Sequence, residues 1–265
     1  LIVSSSEHLA LIAGGNTPIT PKNANIMLTS TYTADMSVEP VSLGRSIMYP
    51  MPRSLNTYGV MEMIPSPYTD SAYVSTDVTE HIPTYLKGRC RFAVSSTVGS
   101  IALFGSTTRE GEVYVHEYIW EGDEKLLKAW HKWVFAKAVA DVYFDGDLIN
   151  LVFADGSIIL TTLDPRSHSG DTPDIYLDFN RSVEKVDGLV ELPAIQRDFL
   201  DSMNIRLIHA DAGLVGSLIG FEEVSRGKFK VSTSTEANDI ILGVTYKSEI
   251  QPSPPIVRDS EGLPV

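Results

Sequence analysis

The chain has 265 residues and 43% of them are hydrophobic, which is enough for one large or two ordinary domains with a real core and excludes global disorder. A formal net charge of −13 excludes wrapping of nucleic acid through phosphate contacts, which need clustered Lys and Arg. It fits either plain solubility or a passage through which DNA slides without sticking. One cysteine, Cys90, excludes an intrachain disulfide framework and a cysteine-based zinc site, and no apolar run approaches the ~20 residues of a membrane helix.

In chain order, short β-like runs dominate. "LIVSS" and "LALIAGG" open the chain, and "RFAVSS", "SIALFGS" and "EVYVHEYIW" follow around 91–120. Cys90, in "GRCRFAV", reads as a small packed residue rather than a nucleophile. After these come "VADVYF", "LINLVF" and "SIILTTL", with turn signals between them. Asp145-Gly146 and Asp155-Gly156 are predicted tight turns, because Gly tolerates positive φ. The first residue is Leu1, no signal peptide is visible, and the last stretch, "SPPIVRDSEGLPV", reads as a linker or a cut. The expectation is a piece of a longer protein.

A faint repeat runs through this half. "LIVSSSEHLALIAGG" at Leu1 is similar to "FAVSSTVGSIALFGS" at Phe92, allowing one insertion. Another strand–turn–strand unit begins at Asp141, about fifty residues after Phe92, and a looser one begins at Gly44. The spacing is near the ~40–50 residues of a four-stranded propeller blade. A blade buries its faces only against neighbours, so the expectation is an incomplete set of propeller-like blades over 1–164.

Convincing helix signals are few. The best is "DEKLLKAWHKW", where Leu126, Leu127, Trp130 and Trp133 could share one helical face. The alternative is a turn at "EGDEK" followed by a strand. That strand would set Trp130 opposite His131 and beside Lys132, a poor parity for half-burial, although Trp133 and Phe135 alternate well. Beyond "LDPRSHSGDTP", a linker by composition, spaced strands such as "MNIRLIHA", "KFKVS" and "DIILGVTYKSEI" predict a small β-barrel or β-sandwich over 165–255, with 256–265 as a linker or truncated end. The fold class read from the sequence is therefore all-β.

Catalytic signatures are missing. There is no G-x-S-x-G elbow, no phosphate loop and no G-x-G-x-x-G. The six histidines never form H-x-H or H-E-x-x-H. In "HEYIWE" the place of a second zinc-binding His is taken by Trp120. "DGD" at Asp145 lacks the further oxygens of a calcium loop. A carboxylate pair brought together in space for glycoside hydrolysis remains open, since 34 acidic residues offer many pairs. Trp120, Trp130 and Trp133 could stack on sugars, but core or subunit-contact roles are commoner. No catalytic residue, metal site or cofactor is expected.

Four segments carry a resemblance. "VYVHEYIWEGDEKLLKAWHKWVF", Val113 to Phe135, resembles the signature of tail tubular protein B, the nozzle of short-tailed bacteriophages: an aromatic strand, a Gly- and Glu-bearing loop, then "EKLxxxWxKW". "STDVTEHIPTYLKG", Ser75 to Gly88, resembles the family's "ATDVTxHVPxYIxG". The opening stretch to Ile26 and "ILGVTYKSEIQPSP" near the end agree in order. The resemblance implies a structural, non-enzymatic virion protein with a propeller-like body and inserted β-domains. It also implies assembly into a hexameric ring at the distal end of the tail, made in the host cytoplasm. Such a ring contacts the adaptor ring and the tail fibres, closes the channel, and lets genomic DNA pass without specific binding or a membrane role. Family-motif packing residues on this reading are Trp130, His131, Trp133, Asp77, Thr79, His81 and Tyr246. A buried Trp133 would cost about 3–5 kcal/mol on replacement by Ala. The rival readings are a glycan-degrading or a glycan-binding tail component acting on the host surface.

Overall fold

Alternating apolar and polar residues, broken by turn residues, fold into antiparallel meanders in the computed structural model. It describes residues 2–4, 9–13, 20–22, 24–30, 32–66, 73–122, 124–146, 148–162, 177–192, 204–210, 216–231, 240–247 and 249. The chain forms two compact units, Leu1–Pro165 and Arg166–Val265.

In the first unit every sheet pairs consecutive strands. β1 (Ile2–Ser4), β2 (Leu9–Ala13) and β3 (Asn25–Ser30) form one sheet. β4 (Val41–Ser42), β5 (Ile47–Pro52), β6 (Tyr58–Pro65) and β7 (Tyr73–Asp77) form the second. The third holds β8 (Cys90–Ser96), β9 (Ile101–Ser106), β10 (Glu112–Glu121) and β11 (Glu124–Val134), with β11 at its edge. The fourth holds β12 (Val139–Asp145), β13 (Leu148–Phe153) and β14 (Ile158–Thr162). Each of the four sequence repeats falls on a different sheet. The predicted turns are real: Gly146 and Gly156 have φ of 65° and 84°.

Burial explains the apolar runs. Tyr58–Met63 of β6 and all of β9 are buried, so both faces of each strand meet protein. One core joins Met48, Tyr58 and Val60 of the second sheet to Phe104, Tyr114 and Tyr118 of the third, with Leu86 and Cys90. Tyr49, Met61 and Met63, on the other face of the second sheet, form another cluster with Ala34. Cys90 is a packed thiol whose pKa burial pushes up, as its surroundings in the sequence suggested.

The helix candidate is a strand. β11 pairs along its whole length with β10, Trp130 opposite His116 and Trp133 opposite Val113. Residues three apart lie on opposite faces of a strand, so the two tryptophans point away from each other. The disfavoured parity is the one found, since Trp130 shares its face with Lys132. It works because β11 is an edge strand, where the exposed Lys128 and Lys132 discourage further pairing. The hairpin tip is tied to its neighbours: Arg45 Nη1 donates to the Gly122 carbonyl. Lys125 Nζ donates to Glu62 on β6, and both of these side chains are nearly buried.

In the second unit β15 (Asp178–Val183), β17 (Ile205–His209), β18 (Leu218–Ile219) and β21 (Ile240–Val244) make one sheet, in the order β15-β21-β17-β18. β16 (Leu189–Glu191), β19 (Phe221–Ser225) and β20 (Lys228–Val231) make another. Val190, Phe229 and Val231 of the second share a core with Leu207, Ile240 and Leu242 of the first. Among the described residues no sheet closes into a barrel. Residues 256–265 lie outside the described residues.

Candidate functional site

The two strongest sequence motifs meet in space. The first ends in the turns after β7, the second is the β10–β11 hairpin. Trp130 Nε1 donates to the Val78 carbonyl at 3.2 Å. Tyr114 Oη accepts from the Lys87 backbone N–H at 3.0 Å, and its ring lies 5.6 Å from that of Tyr85. Trp130 also packs at 5.6 Å from Phe104 and 4.7 Å from His116.

The Asp-Val-Thr of the first motif is a hydrogen-bond staple. Asp77 Oδ1 accepts from the Thr79 backbone N–H at 2.8 Å and from its hydroxyl at 2.7 Å. Thr79 Oγ1 in turn accepts from the Val60 N–H and from Arg53 Nη2, both at 3.1 Å. Arg53 completes the loop with an ion pair to Asp77 Oδ2. Thr79 is 1% exposed, so these groups have no water to replace it. Thr79→Val is therefore expected to lose about 2–3 kcal/mol of stability, while Thr79→Ser keeps most of it. Urea unfolding of the two variants checks this, and equal midpoints would refute it.

Between the motifs opens a cleft of about 430 Å³, lined by His81, Ile82, Pro83, Tyr85, Lys87, Arg109, Glu112 and Lys132, with Thr84. The frame beneath it is hydrogen-bonded. Ser106 Oγ donates to the Lys87 carbonyl at 2.7 Å and accepts from the Arg109 N–H at 3.0 Å. Tyr114 Oη donates to Glu112 Oε2 at 3.0 Å, and Lys132 Nζ donates to Glu112 Oε1 at 3.1 Å. Burial raises the Tyr114 pKa, so the phenol keeps its proton. Gly88, which closes the first motif, has φ +72°, and a Cβ there would meet Thr108 Oγ1 at 2.6 Å. That glycine lets the chain turn beneath the cleft.

His116, on β10 within the hairpin, is 1% exposed, with neither ring nitrogen in hydrogen-bond geometry. Burial lowers its pKa to about 3. Lys125 and Lys128 act in the same direction, while the nearby Ala129 backbone opposes. The unfolded histidine takes up a proton near pH 6.5 and the folded one does not, so stability is full above that pH and falls below it. Stability is therefore expected to fall as the pH drops from roughly 6 towards 3. His116→Phe should flatten that slope, read as urea midpoints at neutral and mildly acid pH. An unchanged slope would place the acid sensitivity elsewhere.

The remaining residues singled out in the sequence scatter. His131 and Trp133 lie on the face opposite Trp130, both half-buried, their rings 6.3 Å apart. His131 also lies 3.9 Å from Glu117 Oε1, and burial lowers its pKa. Trp133 is half-buried, so the condition of full burial attached to the cost of about 3–5 kcal/mol is not met. His81 is exposed on the cleft rim. Tyr246 is 51% exposed, past the last residue of β21. Sequence reasoning missed Glu62, Arg53, Ser106, Lys87 and Arg109. Lys87 stood inside the Ser75–Gly88 motif, and for the others the only sequence signal was a charged or hydroxyl residue in or beside a predicted strand. Among the described residues, no cluster of His, Cys, Asp and Glu could hold a metal ion.

The distinctive motifs of this all-β scaffold are spent on pinning its sheets together. The chain belongs to the bacteriophage nozzle protein family, whose model matches residues 1–263. It is thereby a phage tail nozzle component. It is similar to tail tubular protein gp12 of Escherichia phage T7, with 22% identity over 144 residues, covering 52% of this chain and 17% of that protein.

Proposed function

We propose that this chain is part of a nozzle subunit that assembles as a six-membered ring at the distal end of the tail. There it closes the channel and lets DNA pass during ejection. Membership of the nozzle family across nearly the whole chain carries the reading. Two features of the molecule support it. The second and third sheets bury apolar residues against each other and on their outer faces, as the blades of a propeller do. The two sheets of the second unit share one core in the manner of a sandwich. The charge of −13 suits a channel that must release DNA. On this reading the adaptor ring lies above, tail fibres lie to the side, and Trp130, Asp77 and Thr79 serve as packing residues within each subunit.

Light scattering on the natural full-length chain tests the proposal. A particle of six subunits is the expected result. A chain that stays monomeric even with its adaptor ring present would overturn it and favour a glycan-binding role. Among the described residues, the aromatics exposed enough for such a role are Tyr32, Tyr143 and Tyr246 rather than Trp130.

A further inference from the structure

We propose that the cleft between the two motifs is a docking site for an acidic peptide segment of a partner protein, with Arg109 and Lys87 receiving a carboxylate. The cleft gathers Lys87, Arg109 and Lys132, with His81 on the rim, around one acid, Glu112. Each oxygen of Glu112 is already engaged, one by Lys132 and the other by Tyr114. Among the described residues, neither the Lys87 ammonium nor the Arg109 guanidinium has an ion-pair partner. In a chain that carries 34 acidic against 21 basic residues, two unanswered cations side by side are not the background pattern.

The backbones that carry the two cations are also pre-set. A single buried hydroxyl, Ser106, holds the backbone of both, and the buried Tyr114 fixes Lys87 again. A ligand carboxylate therefore meets a fixed backbone frame, on which only the Lys87 and Arg109 side chains have to order, and the Arg109 fork can take it bidentately. Ile82, Pro83 and Tyr85 add apolar surface to the same cleft. That combination suits a peptide bearing an acidic residue next to an apolar one. It does not suit duplex DNA, whose convex row of phosphates meets neither a concave pocket nor apolar surface, and which the acidic surface repels. The inference does not depend on the ring reading, because it needs only the cleft.

Fluorescence anisotropy at low ionic strength, with the natural full-length chain and a dye-labelled acetyl-Asp-Glu-Leu-Glu-Asp-amide probe, tests it. The probe should bind, added salt should weaken it, and the Asn/Gln version of the peptide should not bind. Arg109→Glu, a change on an exposed side chain, should weaken binding at least about tenfold, and Lys87→Glu similarly. Lys247→Glu, far along the chain, should leave it unchanged. Urea midpoints confirm that each variant is folded. Equal binding of the neutral peptide, full affinity in the Arg109→Glu variant, or tighter cleft-dependent binding of a duplex oligonucleotide would each overturn the proposal.

Discussion

Glu62→Ala is expected to destabilise the first unit by about 3–5 kcal/mol, the usual cost of leaving a buried charge without its partner. Glu62 is 6% exposed and accepts from Ser46 Oγ at 2.5 Å as well as from Lys125. The Lys125 ammonium lies over the rings of Trp120 and Tyr118, 4.9 and 5.6 Å from their centroids. Burial lowers its pKa and Glu62 works against that, so removing Glu62 leaves a cation among aromatic faces with no counter-charge. The Lys125→Met change should cost nearly as much, because the carboxylate is then stranded. The double variant Glu62→Leu with Lys125→Met should recover most of the loss, since a packed apolar pair is often as stable as a buried ion pair. Urea unfolding of the three variants gives the cycle. A coupling energy near zero would mean that the pair is solvated and pins nothing.

Trp130→Ala should be the second large effect, about 3 kcal/mol, with Trp133→Ala costing about 1–2 kcal/mol. Trp130 packs on Phe104 and His116 and closes onto the Val78 carbonyl, so its removal opens a cavity and strands an acceptor. Trp130→Phe keeps the ring contacts and loses only the hydrogen bond, for about 1 kcal/mol. Trp133 is half-buried on the other face, and its ring contact is His131. A melting series in which Trp133→Ala falls below Trp130→Ala would reverse this order and mark Trp133 as the anchor.

Much of the architecture was legible in the residues. Val-, Ile- and Tyr-rich runs ended by Asp-Gly turns are a local signal, and they place β12, β13 and β14 directly. The repeats marked four sheets because each hairpin solves the same packing problem. The stretch Glu124–Val134 misled because its apolar spacing serves a helical face as well as a strand whose two faces have different neighbours. What settled it was β10, whose ladder pairs β11 from end to end. No local pattern contains that partner.

The sequence by itself determined the all-β class, the turn positions, the absence of known catalytic spacings and, through its ordered motifs, the nozzle family. Those properties depend on residues near one another in the chain or on motif order. Only the tertiary structure decided that Trp130 and Trp133 face apart, that Lys125 ends on Glu62, and that Lys87, Arg109 and Lys132 converge on one cleft. Those are contacts between strands and turns some 20 to 60 residues apart. Which charge meets which is fixed by sheet register and stacking, and neither is written in any short stretch of chain.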